Sequence, residues 1–207
     1  MPDKGTKKKI TRVGGGASVP DTGAREAKTY VASDQNKAKA RNLRIFAIIS
    51  WLVAIGFEVG AILLLRKPPI NTTWLIVLIV ADLIFVVIGS LLWKRSNRLS
   101  PASEKEPIRF FIQNQLGVII SIIAFLPLVI LIFTNKNLKG KQKGLVGAIA
   151  IIALVIAGFL GVDFNPPSIE KYTAETTQVE SLMGANNVYW TKAGTRYHLY
   201  SDCSHIN

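Results

Sequence analysis

The chain has 207 residues, 49% of them hydrophobic, and carries a formal net charge of +12. In a soluble domain apolar and charged residues are interspersed, whereas here the apolar residues form four long runs with the charges between and outside them. This segregation excludes an ordinary soluble core and predicts an integral membrane protein that crosses the bilayer several times.

Residues 1–42 precede the first apolar run. They are rich in Lys, Gly and Ser and contain almost no large apolar side chain, so they cannot bury enough surface to fold. We expect a disordered, basic, cytoplasmic arm. Its charge has two interpretations, attraction to anionic lipid headgroups or a positive flank that keeps this terminus in the cytoplasm. Specific nucleic-acid binding is not expected, because only Tyr30 supplies an aromatic ring among the basic residues.

The four apolar runs predict an all-α fold, a four-helix transmembrane bundle over residues 43–162. Each run is long enough for the roughly 20 residues that cross a bilayer. Trp74 and Trp93 bracket the second run, where indole rings settle in the headgroup layers. The predicted spans are residues 43–65, 74–93, 112–133 and 145–162.

Positive charge predicts the orientation of the bundle. More Lys and Arg residues flank the spans on the side of the amino terminus than on the side of the first and third loops. The positive-inside rule therefore places both termini in the cytoplasm, and we expect the protein in a bacterial inner (plasma) membrane.

Two carboxylates interrupt the apolar spans. Glu58 lies eight positions before Arg66, at the end of the first run, and Asp82 lies eight positions after Trp74. In a hairpin closed by the short intervening loop, both lie about 12 Å from the same interface. An ionised carboxylate is costly at that depth, two are costlier, and no Lys or Arg lies deep in a span. We expect a shared proton or a bound cation.

This carboxylate pair leaves two interpretations open. One is the proton or cation site of a small coupled transporter, and the four-span plan with a carboxylate in the first helix resembles the small multidrug transporters. The other is a protonated carboxyl group that hydrogen-bonds across the helices and holds the bundle together.

Small residues recur along two of the spans. Gly56 and Gly60 form a GxxxG step in the first span, and Ala153, Ala157 and Gly161 repeat every four residues in the last. Such lines let helix backbones approach closely. They predict contacts within the bundle, with a homo-oligomer as the alternative.

Residues 163–187 form a linker after the last span. Consecutive prolines stop the preceding helix, and apolar residues at helical spacing then predict a short amphipathic helix. Ser168 is its predicted amino-terminal cap and Gly184 its predicted end.

Residues 188–207 contain both histidines and the only cysteine of the chain. Residues 188–191 and 197–199 favour strands and a KAG turn separates them, which predicts a short C-terminal β-hairpin. Imidazole and thiolate are ligands that suit zinc. His198, Cys203 and His205 are therefore the candidate metal ligands. The alternative is a reduced cysteine beside surface histidines.

A resemblance supports the zinc interpretation. The run Tyr189-Trp190-Thr191-x-x-Gly194-x-x-Tyr197-His198-x4-Cys203-x-x-Ile206 resembles a small module at the ends of bacterial membrane and secreted proteins, loosely related to Ada-type metal-binding domains. The resemblance implies that His198 and Cys203 bind zinc. Because that module closes with a later Cys-x-x-Cys, we expect a truncated chain and a partial module that is open, shared in a dimer or free of metal.

Enzymatic activity is not expected. The sequence contains no Ser/His/Asp arrangement, no glycine-rich phosphate loop that joins a strand to a helix, and no HExxH motif. The sequence thus predicts a membrane-anchored binding or sensing protein with a truncated zinc-binding module. The alternative is a small proton- or cation-coupled transporter that uses Glu58 and Asp82.

Overall fold

The computed structural model describes residues 10–12, 29–184 and 187–189. The chain divides into two compact units. One unit is Asp34–Pro167, and the other combines Met1–Ser33 with Ser168–Asn207.

The unit Asp34–Pro167 consists of four long helices. They are α1 (Asp34–Arg66), α2 (Thr72–Leu99), α3 (Pro107–Thr134) and α4 (Gly140–Gly161). All four are long and apolar enough to cross a membrane. The prediction of four spanning helices is confirmed, and this is the architecture of a multi-pass membrane protein.

The helices extend beyond the predicted spans at their polar ends. α1 begins at Asp34 rather than at residue 43, so the last part of the arm that we predicted to be disordered is helical. Similarly, α3 begins at Pro107 and α4 at Gly140. Hydropathy marks only the part of a helix that lies in hydrocarbon, whereas good helix formers such as Ala, Lys and Arg continue the backbone hydrogen bonding outside it.

α2 and α3 each pack against all three other helices of the bundle, and α2 forms the larger interface with α1. The interface between α1 and α2 is the most extensive. Asn135 Nδ2 donates to the carbonyl oxygen of Leu65 at 2.8 Å, at the end where α1 finishes. At the opposite end, Lys94 Nζ donates to the carbonyl oxygen of Val162. These side chains satisfy carbonyl groups that helix ends leave unpaired, and they tie the two helical hairpins together.

The core of the bundle is apolar, and so are the exposed outer faces of the four helices. Leu75, Ile79, Phe125 and Leu128 are fully buried, while many large apolar side chains on all four helices are exposed. An apolar exterior is what a surface in contact with acyl chains requires.

The backbones of α3 and α4 touch at two glycines. A Cβ atom on Gly161 would lie 2.7 Å from the carbonyl carbon of Gly117. Ala153 and Ala157 are buried on the same helix as Gly161. The predicted line of small residues in the last span therefore does pack inside the bundle.

The GxxxG step of the first span behaves differently. A Cβ atom on Gly56 would meet nothing within 4 Å, and one on Gly60 would meet only Leu78, at 3.8 Å. The expectation that this step mediates close packing within the bundle is wrong. The spacing of two glycines shows that a backbone can be approached, but it does not specify a partner.

The second unit contains α5 (Ile169–Met183). Ser168 Oγ accepts a hydrogen bond from the Lys171 amide at 3.0 Å, and Gly184 ends the helix in the left-handed region at φ 67°. α5 thus begins and ends as its capping residues predict. The Tyr30 amide donates to Thr173 Oγ1 at 2.9 Å, which attaches the segment before α1 to this helix.

Two short strands complete the second unit. β1 (Ile10–Arg12) pairs antiparallel with β2 (Asn187–Tyr189), with Ile10 opposite Tyr189. A piece of the arm that we predicted to be disordered is therefore a strand, and its β-branched residues Ile10 and Thr11 favour that conformation. The second strand of the predicted C-terminal hairpin lies outside the described residues, and the hairpin is not confirmed.

Candidate functional site

The candidate site lies between α1 and α2, at the two carboxylates that interrupt the apolar spans. Asp82 is 0% exposed and Glu58 is 7% exposed. The two groups lie close enough for their charges to interact. The hairpin of α1 and α2 therefore brings the two carboxylates into one neighbourhood inside the bundle.

Asp82 has no hydrogen-bond partner among the described residues. Both of its carboxylate oxygens are buried and neither meets a donor within hydrogen-bond distance. Among the same residues, neither Asp82 nor Glu58 forms a salt bridge. A buried polar group without a partner is costly and a buried isolated charge is costlier still. An ionised carboxylate at this place therefore needs a proton or a cation as counter-charge.

Apolar side chains surround the pair along both helices. The ring centroids of Phe57 and Phe85, the residues next to Glu58 and close to Asp82 in sequence, lie 5.6 Å apart across the α1–α2 interface. The residues one turn away on either side are also apolar and buried, namely Ala54, Ala61, Ile79 and Val86. These surroundings lower the local dielectric and strengthen any charge interaction at the site.

Further buried polar groups follow Asp82 on the same face of α2. Ser90 and Asn97 are spaced at two-turn intervals from it, and both are 0% exposed. Ser90 Oγ and Asn97 Oδ1 have no hydrogen-bond partner in the described part of the chain. Asn97 Nδ2 donates to the carbonyl oxygen of Gln113 at 2.7 Å. This polar row leads from the carboxylates to the end of the bundle where α2 meets α3.

Trp51 of α1 packs against α2 between Asp82 and Ser90. Its indole Nε1 donates to the carbonyl oxygen of Val86 at 3.4 Å. A Cβ atom on Gly89 would lie 2.4 Å from that nitrogen, so the glycine makes room for the ring. The indole therefore contacts α2 at Val86 and Gly89, between Asp82 and Ser90 in the sequence.

Sequence reasoning missed this polar row. The serine and asparagine are uncharged, and each is common near the ends of spans, so neither stood out from its neighbours. Asn114 of α3, which also contacts Asn97, is likewise buried, at 2% exposure. Ser90 follows Asp82 by two helical turns, and Asn97 follows Ser90 by two more. This spacing is the signal that could have identified the two residues.

The predicted metal ligands His198, Cys203 and His205 lie outside the described residues. Within residues 10–12, 29–184 and 187–189, no group of three or more His, Cys, Asp or Glu side chains could hold a metal ion. Zinc binding by the C-terminal segment stays a prediction.

Comparison with known proteins gives no relative for this chain. No protein-family model matches it, and neither a curated protein nor a solved structure matches it.

Proposed function

We propose that this protein takes up and releases a proton at Asp82 and Glu58, and that it couples this exchange to the transport of a solute across the membrane. One observation carries the proposal. The carboxylate of Asp82 is completely buried in an apolar bundle, beside a second carboxylate, and has no hydrogen-bond partner among the described residues. Intramembrane ionisable groups of this kind typically belong to ion pathways and proton relays.

The lack of a partner weighs against a purely structural role. A carboxyl group that holds helices together does so by donating or accepting a hydrogen bond across their interface. The bundle supplies such bonds elsewhere, for example from Ser50 Oγ to the carbonyl oxygen of Phe85 at 2.7 Å. Asp82 receives none from the described residues. Burial of Asp82 therefore destabilises the bundle, and no hydrogen bond from the described residues compensates for it. This favours a functional role.

The composition of the site favours a proton over a metal cation. Calcium takes six to eight oxygen ligands, and magnesium requires a nearly ideal octahedron. Within the described part of the chain, the site offers two carboxylates and no third His, Cys, Asp or Glu side chain. A proton needs only one oxygen to bind and neutralises the pair by itself.

The polar row suggests how a proton reaches the site. Ser90 and Asn97 provide buried oxygen atoms between Asp82 and the α2–α3 end of the bundle. Trp51 contacts α2 at positions that lie between Asp82 and Ser90 in the sequence. In our proposal, α1 and α2 slide or tilt so that the indole moves away from this stretch of α2, and the carboxylates then exchange protons with that side. A gated site in the middle of a bundle is what alternating access requires.

Infrared difference spectroscopy tests the proton site directly. In the purified protein, a change of pH should produce a carbonyl stretching band from a buried carboxyl group. Asp82→Asn should remove the contribution of Asp82 to this band, because the amide cannot bind an exchangeable proton in the same range. Glu175→Gln, at an exposed position of α5, is the matched control and should leave the band intact. A spectrum of Asp82→Asn identical to that of the wild type would contradict the proposal.

The transport part of the proposal also requires a defined orientation, which cysteine labelling measures. Starting from a Cys203→Ser background, Lys67→Cys and Lys136→Cys should react with a membrane-impermeant maleimide on intact cells. Lys105→Cys should react only after permeabilisation. All three lysines are exposed, so accessibility to the reagent depends on the side of the membrane. The reverse pattern would place both termini outside the cytoplasm.

A further inference from the structure

A groove opens at the end of the bundle where α1, α2 and α3 meet. Its volume is about 740 Å³, and its wall includes Arg44 of α1, Trp93 of α2 and Arg109 of α3. The groove lies near Trp93, the residue that the sequence places in the headgroup layer. It is separate from Asp82 and Glu58, and the inference drawn from it does not depend on the proton site.

Arg44 carries a positive charge that no described carboxylate neutralises. Its Nε donates to Ser96 Oγ at 2.8 Å and its Nη2 donates to the carbonyl oxygen of Ser100 at 3.1 Å. Its guanidinium lies 5.6 Å from the centroid of the Trp93 ring. These neutral partners hold the side chain in place against the wall of the groove. They leave its charge available to an anion.

A second guanidinium lies close to the first. The charges of Arg109 and Arg44 interact, although they repel each other. Arg109 Nη1 also contacts Glu106 Oε2 at 3.1 Å, and Glu106 lines the same groove. One carboxylate against two guanidinium groups leaves an excess of positive charge in the groove. An anion between the arginines would relieve their repulsion.

Apolar side chains continue the groove along α3. Ile108, Ile112 and Leu116 line it and repeat every four residues, so they form one ridge of the helix. Ile108 is 75% exposed and Ile112 is 48% exposed. The groove thus combines a cationic end near the interface with an apolar track that runs along a membrane-spanning helix.

We propose that this groove binds one anionic phospholipid. The phosphate lies between Arg44 and Arg109, where guanidinium groups provide bidentate hydrogen bonds. One acyl chain follows the ridge formed by Ile108, Ile112 and Leu116. Specificity for an anionic lipid follows from the excess positive charge, because a zwitterionic lipid adds an ammonium group that the arginines repel.

Native mass spectrometry of the purified full-length chain provides the test. The protein is titrated with dioleoyl phosphatidylglycerol or with dioleoyl phosphatidylcholine, and the bound fraction is measured. We expect tighter binding of phosphatidylglycerol, and a loss of roughly fivefold in its affinity for each arginine replaced by glutamine. Arg109→Gln is the main variant because the side chain is exposed and its removal should leave the bundle folded. Arg44→Gln is the second, checked by thermal unfolding because Arg44 also binds α2.

Lys105→Gln is the matched control. Lys105 is exposed and lies four residues before Arg109 in the chain, but it does not line the groove. Its replacement should leave the affinity for phosphatidylglycerol unchanged. Equal binding of the two lipids, or an equal loss in Lys105→Gln and Arg109→Gln, would mean diffuse surface attraction and would overturn the proposal. Displacement of the lipid by glycerol 3-phosphate at similar concentration would also overturn it, because the acyl chain would then contribute nothing.

Discussion

Replacement of Asp82 by leucine is expected to stabilise the bundle by about 1–4 kcal/mol while abolishing proton binding at that position. Leucine is branched at Cγ like aspartate, is somewhat larger, and has no polar oxygens. Because both oxygens of Asp82 are buried without a partner among the described residues, the substitution removes a desolvation cost and breaks no bond to them. Reversible unfolding in mixed detergent micelles gives the change in the free energy of unfolding, and the infrared band reports proton binding.

Asp163 provides the matched control for this experiment. It is also buried, at 6% exposure, and differs from Asp82 in one respect: its Oδ1 accepts a hydrogen bond from the Asn165 amide at 3.3 Å, although its Oδ2, like both oxygens of Asp82, has no partner among the described residues. Asp163→Leu breaks that bond and should destabilise the protein by about 1 kcal/mol. If Asp82→Leu destabilises the protein in the same way, Asp82 has a structural partner and the proton-coupled function loses its main support.

The contrast between the two aspartates shows why stability and function can conflict in this protein. A group that must bind and release a proton cannot also be held permanently in a hydrogen-bond network. The bundle tolerates this cost because α1 and α2 share its most extensive helix interface. Other polar contacts across the same interface, such as those of Ser50 and Trp51 with the α2 backbone, hold the two helices together beside the site.

The sequence was sufficient to predict the four spans and the neighbourhood of Glu58 and Asp82. Hydrophobicity identifies spans because the bilayer imposes a fixed length on every helix that crosses it. The short loop between α1 and α2 imposes an antiparallel hairpin, and the rise per residue then gives the depth of each carboxylate. Local rules also located α5, whose end residues Ser168 and Gly184 act through bonds and backbone angles within the helix itself.

Contacts between distant helices could not be predicted in the same way. The hydrogen bond from Arg44 to Ser96 joins residues that are 52 positions apart, and no periodicity within α1 indicates that partner. The GxxxG step of α1 is a local motif whose glycines face open space or a side chain at ordinary distance, whereas the glycines that do touch come from different helices. Which glycine meets which depends on the rotation of each helix about its axis, and span hydrophobicity does not determine that rotation.

Alanine at Gly117 or Gly161 is expected to destabilise the bundle by about 1–3 kcal/mol each. The Cβ atom added at Gly117 would lie 2.8 Å from the carbonyl oxygen of Gly161. The obstacle is the backbone of a neighbouring helix rather than the end of a flexible side chain, so α3 and α4 must move apart to accommodate the methyl group. The reversible unfolding experiment in mixed micelles measures the change in the free energy of unfolding.

Gly56→Ala is the control for these two glycine variants. A Cβ atom at Gly56 meets nothing within 4 Å, and alanine favours the helix over glycine by up to about 1 kcal/mol. The control should therefore leave stability unchanged or raise it.

Gly117 and Gly161 occupy the two sides of one contact. The double variant should therefore lose less free energy of unfolding than the sum of the two single variants, because helices already separated by the first methyl group have room for the second. Strict additivity would mean that the two glycines do not share a contact, and would contradict the α3–α4 packing described above.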